Sequence, residues 1–353
     1  MRALTVIPGR ADSIELSDWP DPTAGEGELL VRGLALGVCG TDKEIVSGEY
    51  GWAPEGAERL VLGHESLGRV EQAPEGSGFS RGDLVAGVVR RPDPVPCGAC
   101  AHGEFDMCRN GRYTERGIKR RDGFGSQWWT IEPDYAIRLD PALERLGVLM
   151  EPTSVVAKAW EQIRRIGERS WFDPRTVLVT GAGPIGLLAA MIGTQHGLDV
   201  HVLDRVTGGP KPDLVARLGA TYHHGDAAEV MKAVQPDVII EATGAGQLVF
   251  DAMRGTNGYG IVCLTGVSAP GRTLTVDAGA VNRELVLEND VVVGSVNANR
   301  RHFEAAADAL AQADPAWLAG LISRRVPLED FRDAFTAAED DVKVVIAIDE
   351  EQR

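Results

Sequence analysis

Four side chains in the first half of the sequence have the chemistry to hold a metal ion. Cys39 stands in Gly37-Val38-Cys39-Gly40-Thr41-Asp42, His64 and Glu65 follow Gly63, and Glu151 lies in Leu149-Met150-Glu151-Pro152. A thiolate, an imidazole and a carboxylate make a borderline-soft set suited to Zn2+. Three protein ligands leave a fourth position open for a water or substrate oxygen. A metal of this kind lowers the pKa of a hydroxyl, from which hydride can then leave to an acceptor. Thr41, two residues after Cys39, is placed to pass the released proton outward through its own hydroxyl. Singly, each residue has a bland reading, as a core cysteine or a satisfied histidine. The joint reading is stronger, because glycines flank Cys39 and precede His64 in turn contexts.

The acceptor is indicated by Val177-Leu178-Val179-Thr180-Gly181-Ala182-Gly183-Pro184-Ile185-Gly186-Leu187-Leu188, a G-x-G-x-x-G pattern between a strand-like run and an amphipathic run. Gly181 permits the tight turn, Gly183 lets backbone approach a pyrophosphate, and Gly186 allows close helix–strand packing. The helix N-terminus, opened by Pro184 and Ile185, supplies N–H donors. Asp204 ends the next strand-like run and is placed to accept the adenosine ribose hydroxyls. Its charge would repel a 2′-phosphate, which favours NAD. Arg205 directly after it and Lys211 nearby keep NADP open.

These residues need two kinds of scaffold. Residues 1–155 alternate short apolar runs with Gly, Pro and Asp turns, as in Glu28-Leu29-Leu30-Val31-Arg32, which predicts a β-rich domain. From residue 156 the period changes. Helical spacing over Ser154–Ile166 is followed by alternating strand and helix signals at Val177–Thr180, Val200–Leu203, Asp237–Ile240, Gly260–Leu264 and Val291–Val293. That alternation predicts a doubly wound parallel sheet over 156–294. A helix over Arg301–Gln312 and a strand over Val342–Ile348 then return the chain to the first domain, so 295–353 completes it.

Bulk properties bound the partners. The 353 residues are 44% hydrophobic and 25% charged, with a net charge of -16, which opposes nucleic acid or an anionic membrane as partner. No apolar run approaches the roughly 20 residues that span a bilayer, and the N-terminus lacks the pattern of a signal peptide. Five cysteines, three of them clustered, read as a metal site rather than a disulfide framework, and the cytoplasm is the expected location. The acidic stretches Glu339-Asp340-Asp341 and Asp349-Glu350-Glu351 read as a solvated face.

The order Gly-Val-Cys-Gly-Thr-Asp, Gly-His-Glu, a cysteine-rich lobe, then G-x-G-x-x-G resembles the zinc-containing medium-chain dehydrogenases over essentially the whole chain. Within them it is most similar to the glucose (aldose) 1-dehydrogenases, through Tyr113-Thr114-Glu115-Arg116-Gly117-Ile118, Glu151-Pro152, Val276-Asp277-Ala278-Gly279-Ala280 and Gly294-Ser295-Val296-Asn297. The resemblance implies a GroES-like catalytic domain around a Rossmann domain, with the active site in the cleft between them. It implies a catalytic zinc on Cys39, His64 and Glu151, with Glu65 an adjustable carboxylate nearby. It also implies a sugar contact from Glu115, cofactor contacts from Thr243 and Asn297, and assembly as a homodimer or homotetramer. The implied reaction is oxidation of an aldose at its anomeric hydroxyl to the lactone. Val89 and Val155 stand where relatives carry polar groups, so a polyol, aminosugar or cyclitol remains the alternative substrate class, with a zinc-free quinone or enone reductase behind it.

The same family holds a structural zinc with four cysteines spaced C-x2-C-x2-C-x7-C. Here Cys97, Cys100 and Cys108 are present, but the first position is Pro94. Either a neighbour among Asp93, His102, Glu104 and Asp106 completes the site or the thiols carry no metal. Cys263 reads as core. Trp128-Trp129 either lines a sugar pocket or packs in the core, and Asp42 serves either a sugar hydroxyl or the turn backbone.

Overall fold

The computed structural model describes residues 1–269, 271 and 273–353. The chain divides into two compact units, Met1–Ser154 with Asn297–Arg353, and Val155–Val296. No described helix is long and apolar enough to cross a membrane.

In the first unit the organising element is the ten-residue strand Leu29–Val38, whose inward residues Leu29, Val31 and Leu34 have no exposed surface. It runs antiparallel to Glu65–Gln72 on one side and to Lys343–Ala347 on the other, in a mixed seven-stranded sheet. The register places Gly37 opposite Glu65 and Val38 opposite Val344. The end of this one strand therefore sets Cys39, Glu65 and Lys343 side by side, although they are distant in sequence. Gly37 is required there, because a Cβ would lie 1.9 Å from the Glu65 Oε2 atom. A separate three-stranded sheet, Arg90–Arg91, Thr114–Arg116 and Arg120–Arg121, carries Glu115.

The second unit is the parallel sheet the sequence pattern predicts. Its strands lie in the order Thr221–His223, Asp199–Leu203, Thr176–Thr180, Val238–Glu241, Ile261–Leu264, Val291–Gly294, every pair parallel. The order reverses between Thr176–Thr180 and Val238–Glu241, and ligands of such sheets bind at the carboxyl ends of the strands at that point. Val177, Leu178, Val179, Ile239, Ile240, Val262 and Cys263 are fully buried, as central strands covered on both faces must be.

One boundary differs from the periodicity reading. The helix expected over Ser154–Ile166 runs over Met150–Gly167. Pro152 does not stop it, because a proline in the first turn removes an N–H that has no helical partner. Glu151 thus sits in the first turn of a helix rather than in a loop.

Candidate active site

Cys39 directly follows the central strand and is the N-cap of the helix Gly40–Val46. Its Sγ lies 3.1 Å from His64 Nε2. The ligand atoms of Cys39, His64 and Glu65 all lie within 4.8 Å of one another. Asp42 braces this cluster from behind. Its Oδ2 accepts from the Cys39 N–H at 2.9 Å, and its Oδ1 lies 3.3 Å from His64 Nδ1. With 1% exposure, Asp42 has no face open to a sugar hydroxyl, so the turn-and-imidazole role is the one its position allows. Thr41 is half-buried in the same first helical turn.

The electrostatics are those of a site built for a cation. Burial disfavours the imidazolium, yet the thiolate of Cys39 and the carboxylate of Asp42 hold His64 well above its ordinary range. Burial pushes the Cys39 thiol up. Burial also opposes ionised Asp42, but His64 holds it low. Soft and hard donors thus converge on one buried point, which a zinc ion fits. Glu65 is ion-paired with Lys343, and both are 2% exposed; the Lys343 Nζ also donates to Val38 O at 3.2 Å. Glu151 stands beside this group but outside its close cluster. Burial pushes its carboxyl up to about 7, with His64 and Lys343 pulling down and Glu65 and Asp42 pushing up.

Glu115, 4% exposed, is held by the Arg90 guanidinium, whose Nε and Nη2 donate to Oε1 at 3.1 and 2.9 Å. The amide of Asn297 donates to the same oxygen. Asn297, expected as a cofactor contact, makes this bond from a left-handed backbone at φ 65°. Trp129 is 3% exposed and packs edge to face on Phe124 at 4.8 Å, so it is core. Trp128 is the neighbouring residue of the same strand, Trp128–Ile131.

In the second unit Gly181 has φ +94° and Gly183 caps the helix Pro184–Gln195. An added Cβ at Gly186 would meet Gly181 O at 1.8 Å, whereas at Gly183 nothing lies within 4 Å. That open space at a helix N-terminus is what a pyrophosphate needs. Asp204 Oδ2 accepts from the Ala182 N–H at 2.6 Å, and Oδ1 accepts from the Arg205 N–H at 2.6 Å. Burial alone would raise Asp204, yet these bonds and Lys211, 3.5 Å away, keep it ionised. Thr243 donates its hydroxyl to the fully buried Glu241 and accepts from the Ala245 N–H at 3.0 Å. Arg205 is exposed.

The sulfurs of Cys97, Cys100 and Cys108 also lie within 4.8 Å of one another. The Arg109 N–H donates to Cys97 Sγ at 3.3 Å and pulls that thiol down to about 6, while burial pushes Cys100 up to about 11. Among the described residues no fourth ligand joins the cluster. Asp93 Oδ1 accepts from the Val95 N–H, His102 Nδ1 pairs with Gly98 O, Glu104 binds Arg301, and Asp106 accepts from Asn299. Sequence reasoning missed Lys343 and Arg90 as the partners of Glu65 and Glu115, because no local pattern ties either to its carboxylate.

Comparison with known proteins places these features in context. The alcohol dehydrogenase GroES-like domain family matches residues 25–141, and the glucose dehydrogenase C-terminus family matches residues 144–348. The chain is 41% identical over 357 residues to a glucose 1-dehydrogenase of Methanocella arvoryzae, covering 99% of each. It is 41% identical over 355 residues to that of Halobacterium salinarum, covering 98% of this chain and 99% of the other. A Haloferax mediterranei glucose dehydrogenase solved in complex with NADP, Zn and gluconolactone superposes with a TM-score of 0.91 at 34% identity, covering 99% of both chains.

Proposed function

The chain belongs to the glucose 1-dehydrogenase branch of the zinc-dependent, GroES-like alcohol dehydrogenases, and from that premise we propose that it oxidises an aldose such as glucose to the lactone with NAD(P)+. The observation that carries this reading is the convergence of Cys39, His64 and Glu65 within 4.8 Å in the same unit as the buried, arginine-held Glu115.

Cys39 and His64 would hold the zinc, with Glu65 and Glu151 as the carboxylates at hand. When bound, the metal polarises the substrate hydroxyl and makes its proton more acidic. Asp42 fixes the tautomer and plane of His64 through Nδ1, as the outer partners of metal-bound imidazoles do. Thr41 takes the anomeric proton toward solvent through its hydroxyl. Glu115, held in place by Arg90, accepts a hydrogen bond from a ring hydroxyl and orients C1. A bound nicotinamide would supply the hydride acceptor, so that C1 could lose its hydrogen with the electron pair and its C–O bond become the lactone carbonyl. Gly181, Gly183 and Gly186 would seat the dinucleotide and Asp204 and Arg205 would line its adenosine ribose, with Lys211 3.5 Å from Asp204 as a cation for the 2′-phosphate of NADP.

A polyol or cyclitol is the second reading, and it is favoured by Val89, a buried apolar side chain one residue before Arg90. Assembly as a homodimer or homotetramer is supported by the edge strand Val291–Gly294 and by the helix Ala278–Glu288. That helix buries none of its residues and leaves Val286 and Leu287 64% and 58% exposed. The free cysteines suit the reducing cytoplasm.

The deciding experiment is initial-rate oxidation of D-glucose, galactose, xylose, glucosamine, sorbitol and myo-inositol, each with NAD+ and NADP+, before and after chelation. Chelator-sensitive turnover of an aldose supports the proposal and ranks the cofactors. Silence on every aldose with turnover of a polyol or cyclitol replaces it with the second reading.

A further inference from the structure

Two aromatic side chains near Glu115 have no part in the chemistry assigned above. Tyr50 and Trp52 are 40% and 43% exposed, whereas large aromatics usually bury most of their surface. Their rings meet edge to face with centroids 5.1 Å apart. The backbone beneath them is firmly tied. Trp52 N–H donates to Ile118 O at 2.9 Å, and Arg120 N–H donates to Trp52 O at 2.8 Å. Glu115 N–H donates to Lys119 O in the same turn at 2.8 Å, so one short segment fixes both Trp52 and Glu115. The other aromatic nearby, Tyr113, is more closely covered: Arg90 Cζ lies 3.7 Å and Lys119 Nζ 3.9 Å from its ring centre, whereas the same Nζ stands 6.0 Å from the centre of the Trp52 ring, over one face of the indole.

The platform is also close to the carboxylate. After burial, the charge of Glu115 is the largest influence pushing the Tyr50 phenol up. On the metal side, the loop packs against the helix that Cys39 caps, since Ile45 Cγ1 would lie 3.2 Å from a Cβ added at Gly51. Exposed rings on a fixed backbone, beside a buried hydrogen-bond acceptor, suit a ligand with one flat C–H face and hydroxyls around its edge. A pyranose has that shape. An open-chain polyol carries hydroxyls in every direction and offers no such face.

Resting on the aldose reading above, we propose that Tyr50 and Trp52 form a stacking platform for a pyranose ring and that this platform selects cyclic sugars over open-chain polyols. Trp52 supplies the larger surface, and Tyr50 holds the indole edge and adds a hydroxyl at the rim. Neither residue touches the reacting atoms, so both act on binding and orientation.

The test compares the full-length, zinc-loaded enzyme with its Trp52→Ala, Trp52→Phe and Tyr50→Ala variants. D-glucose is the substrate at saturating cofactor, and sorbitol is measured as substrate or as competing ligand. Trp52→Ala is expected to raise the glucose KM about five- to tenfold with kcat changed less than about twofold. Trp52→Phe should restore most of that loss, and the constants for sorbitol and cofactor should stay at wild-type values. A glucose KM unmoved in both alanine variants overturns the platform, as does an equal rise for glucose and sorbitol. The aldose reading is judged on the wild type alone: if it turns over no aldose, that reading falls, whereas brisk glucose turnover with insensitive variants sinks only the platform.

Discussion

Lys343 and Glu65 form an ion pair in which each side chain is 2% exposed, and they come from strands that flank the same central strand on opposite sides. Two charges withdrawn from water tolerate each other, but neither tolerates solitude. Removing Lys343 leaves a buried carboxylate without its counter-ion, which costs about 3–5 kcal/mol. Lys343→Met should therefore move the urea midpoint of the metal-free protein sharply down. The double variant Glu65→Gln/Lys343→Met should recover a good part of the loss, and strict additivity of the two single changes would refute the coupling.

Asp42 touches His64 on the nitrogen that faces away from Cys39. Asp42→Asn keeps the shape and removes the charge that steadies the imidazole. Zinc affinity, read by competition with a chromophoric chelator, should fall by about 10- to 100-fold. An unchanged affinity would return Asp42 to a purely backbone-capping role.

Glu115→Gln preserves the volume of a side chain held by Arg90 and Asn297 but weakens it as an acceptor. The glucose KM should rise about tenfold while the dissociation constant of NAD+, followed by fluorescence, stays put. Weakened NAD+ binding would show that Glu115 serves the cofactor instead.

What was readable in the sequence, and what was not, follows from how far the informing contact reaches along the chain. Gly181, Gly183, Gly186 and Asp204 lie within one strand–turn–helix–strand passage, so their spacing carries their geometry. Cys39, His64 and Glu65 were legible as chemistry, because few other jobs need a thiol, an imidazole and a carboxylate among glycines. Lys343 was invisible, since only the register of Lys343–Ala347 against Leu29–Val38 brings it to Glu65. The bond from the Asn297 amide to Glu115 was equally invisible, since 182 residues separate the two. For Trp128-Trp129 the sequence left pocket lining and core packing open, and strand alternation turns Trp129 into the core. Nor is the acidic tail wholly solvated, because Asp341 binds Arg324 and Asp349 binds Arg32.

Glu132 contributes to the acid stability of the first unit. It accepts from Arg91 Nη2 at 2.8 Å and Arg121 Nη2 at 2.6 Å. Burial alone would raise its carboxyl, yet these guanidinium contacts pull it down to about 2. A carboxyl group titrates near ~4.3 in the unfolded chain. The stabilisation is therefore complete above that pH and disappears as pH falls through the folded value. With the side chain 34% exposed, screening keeps the effect to about 1–2 kcal/mol. Glu132→Gln should lower the urea midpoint at pH 7 and converge with wild type near pH 2; a gap of constant size at every pH would contradict the assignment.

The place of Lys343 along the chain has a consequence for biosynthesis. Glu65 emerges from the ribosome early, but its counter-charge is encoded in the strand Lys343–Ala347, after the entire second unit. At ~5–20 residues per second, many seconds separate the synthesis of the two partners. Until Lys343 has been made, closing the central sheet over Glu65 would bury an unpaired carboxylate, which disfavours that closure.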